Sequence, residues 1–172
     1  ENTLLNTQYL WKNSCMYYTK EISKTVARRL ELKESLFYAI EDKELLLHYQ
    51  PIVDLESGNL TGVEALVRWH HPKFGMLLPE KFIPLAKETG LIVDLSKWVL
   101  KQACKQARMW HEAGFKSLSM TINISAIEFD QAKLIGHIEG VLTETGMPPE
   151  LLELDIAESI LMRDAEMSIK IL

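Results

Sequence analysis

A glutamate and an arginine interrupt an apolar stretch that is typical of a β-strand, and both side chains could do chemistry. Glu64 lies between Val63 and Ala65, and Arg68 follows four residues later. Strand alternation places residues four apart on the same face. Burying a glutamate is costly unless it is paired or bound to a metal. The spacing leaves two interpretations equally open: an ordinary buried ion pair, or Glu64 on a metal ion and Arg68 on a phosphate, which suits the guanidinium fork.

Polar side chains also mark the ends of two later strand-like segments. Asn123 stands between two isoleucines, where its amide oxygen could bind a hard metal ion or its side chain could cap the following loop. Glu153 and Asp155 alternate with apolar residues and therefore share a face. Carboxylates that converge from separate strands suit Mg²⁺ or Mn²⁺. Glu158 has a plainer alternative, which is to favour the start of the next helix.

Gln50 and two histidines complete the polar residues of interest. Gln50 precedes Pro51 at the end of the first strand-like segment, where it could hydrogen-bond a base edge or a backbone group. His70 and His71 are adjacent, so they point to opposite sides of an extended chain. We therefore expect a loop role for this pair rather than metal chelation.

The elements that must position these residues alternate between strands and helices. Apolar periodicity predicts strands at 45–53, 60–69, 117–125 and 151–156, the first two as a hairpin. It predicts helices over 20–41, from Pro79 to a stop at Gly90, from an N-cap at Ser96 to 113, over 129–145 and from residue 164. Such alternation predicts an α/β fold with a largely parallel sheet. A closed (β/α)₈ barrel needs about 250 residues, so this chain is too short to close one.

Composition and charge exclude several classes of protein. The 172 residues carry a formal net charge of −5, so we expect no DNA or RNA polymer as a partner. Cys15 and Cys104 share no metal-binding or redox spacing, which predicts free thiols in a reducing cytoplasm. No apolar run approaches the roughly 18 residues of a membrane helix. We expect a cytoplasmic domain cut from a longer protein, whose other parts are free to carry a membrane anchor.

The ordered motifs along this chain resemble the EAL domain family. They cover about residue 31 to the C-terminus and comprise Tyr49–Val53, Gly62–Trp69, His71-Pro72, Phe82–Ala86, Glu88–Ile92, Trp98–Leu100, Ala103–Cys104, Asn123–Ser125 and Leu152–Leu161. The resemblance implies a TIM-barrel-like (β/α)₈ fold with one antiparallel strand near its start, of which this chain covers about the first half. Residues 31–172 are then an EAL domain truncated at its C-terminus. Residues 1–30 are a linker and helical connector, similar to one that follows a GGDEF domain.

The resemblance also implies an activity and a set of functional residues. EAL domains hydrolyse cyclic di-GMP to the linear dinucleotide with Mg²⁺ or Mn²⁺, so cyclic di-GMP and an upstream GGDEF or sensory domain are the expected partners. Each family role is carried over to the matching position of this sequence: metal ligands at Glu64, Asn123 and Asp155; substrate-binding residues at Gln50, Leu66 and Arg68; a loop-anchoring glutamate beside the metals at Glu158.

Two departures from the family pattern bear on hydrolysis. Asp155 stands where the family usually has a glutamate; it is one methylene shorter, and Mg²⁺ should tolerate the change less well than Mn²⁺ because it demands near-ideal octahedral geometry. The family's paired aspartates, and a later lysine and glutamate, would follow Leu172. They complete a two-metal site. We therefore expect a phosphodiesterase for the parent protein and inactivity for this chain alone.

Two alternatives to hydrolysis remain open at the level of sequence. One is a degenerate EAL domain that binds cyclic di-GMP as a sensor, which Asp155 favours. The other is a protein-interaction module. An unclosed parallel sheet exposes strand edges and apolar surface, so a homo-oligomer or swapped dimer is expected if the 172 residues stand alone.

Overall fold

A computed structural model describes residues 20–124 and 134–156 of the chain. The predicted helix at 129–145 is described from residue 134, and the one predicted from residue 164 lies outside the described residues. The elements are α1 (Lys20–Ala39), β1 (Leu45–Val53), β2 (Leu60–His71), β3 (Gly75–Leu77), α2 (Pro79–Thr89), α3 (Ile92–Glu112), β4 (Ser119–Ile124), α4 (Leu134–Thr145), a 3₁₀ turn (Pro149–Leu151) and β5 (Leu152–Ile156).

The strands form one mixed sheet in the order β1-β2-β4-β5, with the short β3 beside β2. β1 and β2 make the predicted antiparallel hairpin, whereas β2, β4 and β5 are parallel to one another. Parallel neighbours need helical crossovers, which α2 and α3 supply between β2 and β4, and α4 between β4 and β5. The predicted α/β class is therefore confirmed, whereas the described sheet is mixed rather than largely parallel, because β2 has antiparallel neighbours in both β1 and β3.

One face of the sheet is apolar and covered by helices. Ala65 of β2 and Ile122 of β4 project from it and are buried, as are Val63 and Trp69 of β2 and Met120 and Ile124 of β4. The helices contribute Phe82 and Ala103, both fully buried. Burying a phenylalanine side chain contributes about 1.5–3 kcal/mol. The opposite face, reached by the alternate residues, is the one that carries polar groups.

Helix α3 begins one turn earlier than the sequence pattern predicts. Ser96 is not its N-cap, because the helix starts at Ile92 and Ser96 lies in its second turn. Ile92 and Leu95 are buried, so packing against the sheet extends the helix toward its N-terminus. Asp94 in the first turn adds favourable charge at the positive end of the helix dipole. Tertiary packing therefore overrides the capping preference of the serine.

The two histidines differ from the expected loop role. Both end β2, and β3, which the sequence pattern missed, pairs with them. His71 is buried, and its Nδ1 accepts hydrogen bonds from the backbone N–H groups of Lys73 at 3.0 Å and Phe74 at 3.4 Å. His71 thus closes the turn between the two strands.

Helix α1 packs on the domain through both apolar and charged contacts. Leu32 and Leu36 are buried. Lys33 Nζ lies 2.7 Å from Glu88 of α2, and Arg29 pairs with the same carboxylate. The helix runs without interruption from Lys20 to Ala39. No helix in the described ranges is long and apolar enough to cross a bilayer.

Candidate functional site

Four polar side chains form one row across the sheet face opposite the helices. Gln50 of β1 is directly opposite Glu64 of β2, Glu64 is opposite Thr121 of β4, and Thr121 is opposite Glu153 of β5. Residues in register on adjacent strands project from the same face, and neighbouring strands lie about 4.8 Å apart. We call Gln50, Glu64, Thr121 and Glu153 the polar row. Thr121 hydrogen-bonds to Glu153, its hydroxyl Oγ1 lying 3.1 Å from Oε2.

A second pair lies one step closer to the C-terminal ends of the parallel strands. Asn123 of β4 is opposite Asp155 of β5, and both are exposed on the same face as the polar row. The Asn123 amide nitrogen donates a hydrogen bond of 2.7 Å to Glu64 Oε1. Parallel strands place their C-terminal ends at one edge, which is where functional groups of such folds gather. Glu64, Asn123 and Asp155 are thus brought to one place.

Arg68 lies on the same strand face as Glu64, two residues beyond Leu66. Its NH1 group donates a hydrogen bond of 2.9 Å to the backbone oxygen of Val67. Within the described residues Arg68 has no ion pair, and Glu64 receives its hydrogen bond from Asn123 instead. The buried ion pair between Glu64 and Arg68, one of the two interpretations of their spacing, is therefore not formed here.

The side chains of this site are open to solvent. Gln50, Asn123 and Asp155 are exposed, whereas Glu64 is only partly buried. The site offers two carboxylates and an amide oxygen, a set of hard oxygen donors that fits Mg²⁺ or Mn²⁺ rather than a softer metal. In ranges 20–124 and 134–156, no three His, Cys, Asp or Glu side chains are grouped closely enough to hold an ion by themselves. Glu158 lies outside the described residues.

Thr121 is the member of the site that sequence reasoning missed. The pattern singled out Asn123 in this strand because an amide between two isoleucines is conspicuous, whereas a threonine is common in any strand. The available signal was the period of two, since Thr121 precedes Asn123 by two residues and therefore shares its face. Its alignment with Glu64 and Glu153 depends on the register between strands, which the sequence does not state.

Comparison with known proteins gives a consistent result. A family model described as EAL domain matches residues 33–172. The chain is 38% identical over 161 residues to the bifunctional diguanylate cyclase/cyclic di-GMP phosphodiesterase MucR of Pseudomonas aeruginosa, covering 94% of this chain and 24% of MucR. It is 35% identical over 161 residues to the cyclic di-GMP phosphodiesterase NbdA of the same organism, covering 94% of this chain and 21% of NbdA.

A solved structure agrees with these sequence relatives. The MucR phosphodiesterase in complex with c-di-GMP superposes with a TM-score of 0.80 at 42% identity, covering 83% of this chain and 57% of that one. The chain thus spans about a quarter of the two curated relatives and somewhat more than half of the solved structure.

Proposed function

Because this chain belongs to the EAL domain family, with the TIM-barrel-like fold that its sequence motifs predict, we propose that its parent protein is a bacterial phosphodiesterase that hydrolyses cyclic di-GMP to the linear dinucleotide. The observation that carries the proposal is the hydrogen bond between Asn123 and Glu64, with Asp155 directly opposite Asn123. Asn123 and Asp155 lie near the C-terminal ends of β4 and β5, where a TIM-barrel-like fold places its chemistry, and Glu64 of β2 is hydrogen-bonded to Asn123.

We propose Glu64, Asn123 and Asp155 as ligands of Mg²⁺ or Mn²⁺. A bound divalent ion would polarise the phosphodiester and activate water at such a site. The Asn123 amide already fixes one carboxylate oxygen of Glu64 at 2.7 Å, so the ligand geometry is partly preorganised before any ion binds. The shorter side chain of Asp155 favours Mn²⁺, which is less demanding of geometry than Mg²⁺.

We propose Gln50, Leu66 and Arg68 as residues that contact the dinucleotide. Arg68 lacks a carboxylate partner within the described residues, so its fork remains available to a phosphate. Gln50 is exposed at the β1 end of the polar row, where its amide can reach a base edge. Leu66 lies between Glu64 and Arg68 on one face and offers apolar surface to the ligand. Glu158 is proposed to anchor a loop beside the metal ligands.

A second candidate is a sensor that binds cyclic di-GMP without cutting it. The three proposed ligands supply two carboxylates and one amide, fewer oxygen ligands than two metal ions require. Asp155 in place of glutamate points in the same direction. We therefore expect the 172-residue chain to bind the dinucleotide and to hydrolyse it slowly or not at all.

The wider organisation follows from the same proposal. We propose residues 1–30 as a linker and connector that joins an upstream GGDEF or sensory domain, and 31–172 as the EAL portion; the family match from residue 33 supports this boundary. The name of MucR includes a diguanylate cyclase activity beside the phosphodiesterase, which supports the proposal of an additional domain upstream. We propose a cytoplasmic location, with which the free, buried Cys104 is consistent, and a homo-oligomer formed through exposed strand edges.

Calorimetric titration of the purified chain with cyclic di-GMP and Mn²⁺ tests the proposal, with chromatography to detect the linear product. Arg68→Ala should weaken binding roughly tenfold to a hundredfold, because it removes charge-assisted hydrogen bonds to phosphate. Arg108→Ala removes the same charge from α3 and should leave affinity unchanged. Glu64→Ala should abolish any product. Equal affinities of the wild type and Arg68→Ala, or no binding at all, would reject the site.

A further inference from the structure

The polar row places one hydroxyl between two carboxylates. Thr121 is in register with Glu64 on one side and with Glu153 on the other. Strands in a sheet are about 4.8 Å apart, so the threonine side chain can reach either neighbour. A hydroxyl has a single proton to donate. In this structure the Thr121 hydroxyl bonds to Glu153 Oε2, at 3.1 Å.

We propose that Glu153 is a positioning residue that holds the Thr121 hydroxyl away from Glu64. This inference rests on the proposed metal-binding role of Glu64. Among the described residues, Glu153 forms no ion pair and no hydrogen bond with the three proposed ligands. The inference gives this carboxylate a role.

The number of hydrogen bonds that the Glu64 carboxylate accepts explains why it matters which carboxylate the Thr121 hydroxyl bonds to. Among the described residues, Glu64 accepts one side-chain hydrogen bond, from Asn123 on Oε1. A second donor would occupy lone pairs that a divalent ion needs and would reduce the electron density on the carboxylate. Glu153 prevents this by giving the Thr121 proton another acceptor. The layer beneath the ligands is polar for that reason, whereas TIM-barrel interiors usually fill such layers with branched apolar side chains.

Three substitutions separate this role from a general effect of charge. In Glu153→Ala the hydroxyl loses its acceptor and turns to Glu64, so Mn²⁺ affinity should fall about fivefold, the worth of one hydrogen bond. Glu153→Gln keeps an acceptor oxygen while losing the charge, so its affinity should stay within about twofold of wild type. Thr121→Val removes the proton, so the double variant Glu153→Ala/Thr121→Val should recover wild-type affinity.

The test measures Mn²⁺ binding to the full 172-residue chain. The electron paramagnetic resonance signal of free Mn²⁺ reports how much of the ion is unbound. Glu150→Ala is the matched control, since it removes a carboxylate from the 3₁₀ turn just before β5 without touching the polar row. Urea unfolding midpoints establish that each variant is folded. Equal losses in Glu153→Gln and Glu153→Ala would mean that the charge acts through space, and the inference would be overturned. An unrescued double variant, or no loss in Glu153→Ala, would overturn it as well.

A metal-free measurement distinguishes failure of this inference from failure of the proposed function. The side-chain amide resonances of Asn123 report on its bond to Glu64. They should move in Glu153→Ala and return in the double variant, whether or not Mn²⁺ binds. Shifted resonances with no Mn²⁺ binding in the wild type would reject the metal site and retain the positioning role. Unshifted resonances would reject the positioning role.

Discussion

The amide nitrogen of Asn123 lies 2.7 Å from Oε1 of Glu64, and this bond joins side chains that are 59 residues apart in the chain. Neither residue is deeply buried, so the contact is not a product of core packing. It forms because β2 and β4 run parallel with Glu64 opposite Thr121, which sets Asn123 one step further along the same face. Register between strands therefore creates the site.

Lengthening Asp155 should strengthen metal binding. Asp155→Glu adds the methylene that EAL domains usually have at this position, so the carboxylate reaches further toward Glu64 and Asn123. We expect affinity for Mg²⁺ to rise by about tenfold, or ~1.4 kcal/mol, and affinity for Mn²⁺ to rise less, because Mg²⁺ is stricter about geometry. Competition against a fluorescent Mg²⁺ chelator measures both. Asp94→Glu on α3 is the control. An equal rise in metal affinity in that variant would show that the effect does not depend on the position of Asp155.

Gly62 is required by the close approach of β2 and β4. A Cβ at this position would overlap Ser119 Oγ and lie 3.3 Å from the Ser119 backbone oxygen. Gly62→Ala should therefore lower the free energy of unfolding by about 1–3 kcal/mol. Adding Ser119→Ala should recover most of that loss, because it removes the overlapping hydroxyl. Both are measured by urea denaturation.

Gly136 of α4 provides the contrast, since a Cβ there meets no atom of the described residues within 4 Å. Gly136→Ala should stabilise the protein by about 0.5–1 kcal/mol through helix propensity. If Gly62→Ala were also stabilising, that result would contradict the close approach of Gly62 in β2 to Ser119 in β4.

The link between α1 and α2 should weaken in acid. The hydrogen bond from Lys33 and the charge of Arg29 lower the pKa of Glu88. A carboxyl whose folded pKa is depressed stabilises the fold above its unfolded pKa of about 4.3, and that contribution is lost as pH falls through the folded value. Glu88→Gln should thus cost about 0.5–1 kcal/mol at pH 7, and this cost should shrink as the pH of the urea titrations falls below 4. Glu34→Gln is the control: Glu34 lies on α1 and has no ion pair in the described residues, so this substitution should leave the free energy of unfolding at pH 7 unchanged.

Cys104 should be inert to thiol reagents in the folded protein. It is fully buried, and burial raises the pKa of its thiol to about 11. At pH 8 about one molecule in a thousand would carry the reactive thiolate, even before the steric barrier. In a Cys15→Ser background, a disulfide reagent should label Cys104 only after addition of denaturant. Rapid labelling of the native protein would show that the helix-covered side of the sheet opens readily.

Local patterns were sufficient to place most elements and misplaced one helix start. The hairpin, β4, β5 and the stop of α2 at Gly90 follow from alternation and from turn residues, which act over a few neighbours. The start of α3 did not follow from local patterns. Ser96 is a good N-cap in isolation, but the burial of Ile92 and Leu95 extends the helix past it. β3 was missed because three residues are too few to show a period.

The sequence by itself determined which residue types stand on each face of each strand, since side chains alternate with a period of two. That singled out Glu64 and Asn123 and put Glu153 and Asp155 on one face, and the resemblance of the ordered motifs then selected Asp155 and indicated the family that the comparisons confirm. Tertiary structure alone decided which of these residues meet. The pairing of Glu64 with Asn123 rather than Arg68, and the position of Thr121 between two carboxylates, depend on inter-strand register. Register is set by which sheet face is buried and by the connections between strands, so for β2, β4 and β5 it depends on residues that are far apart in the chain.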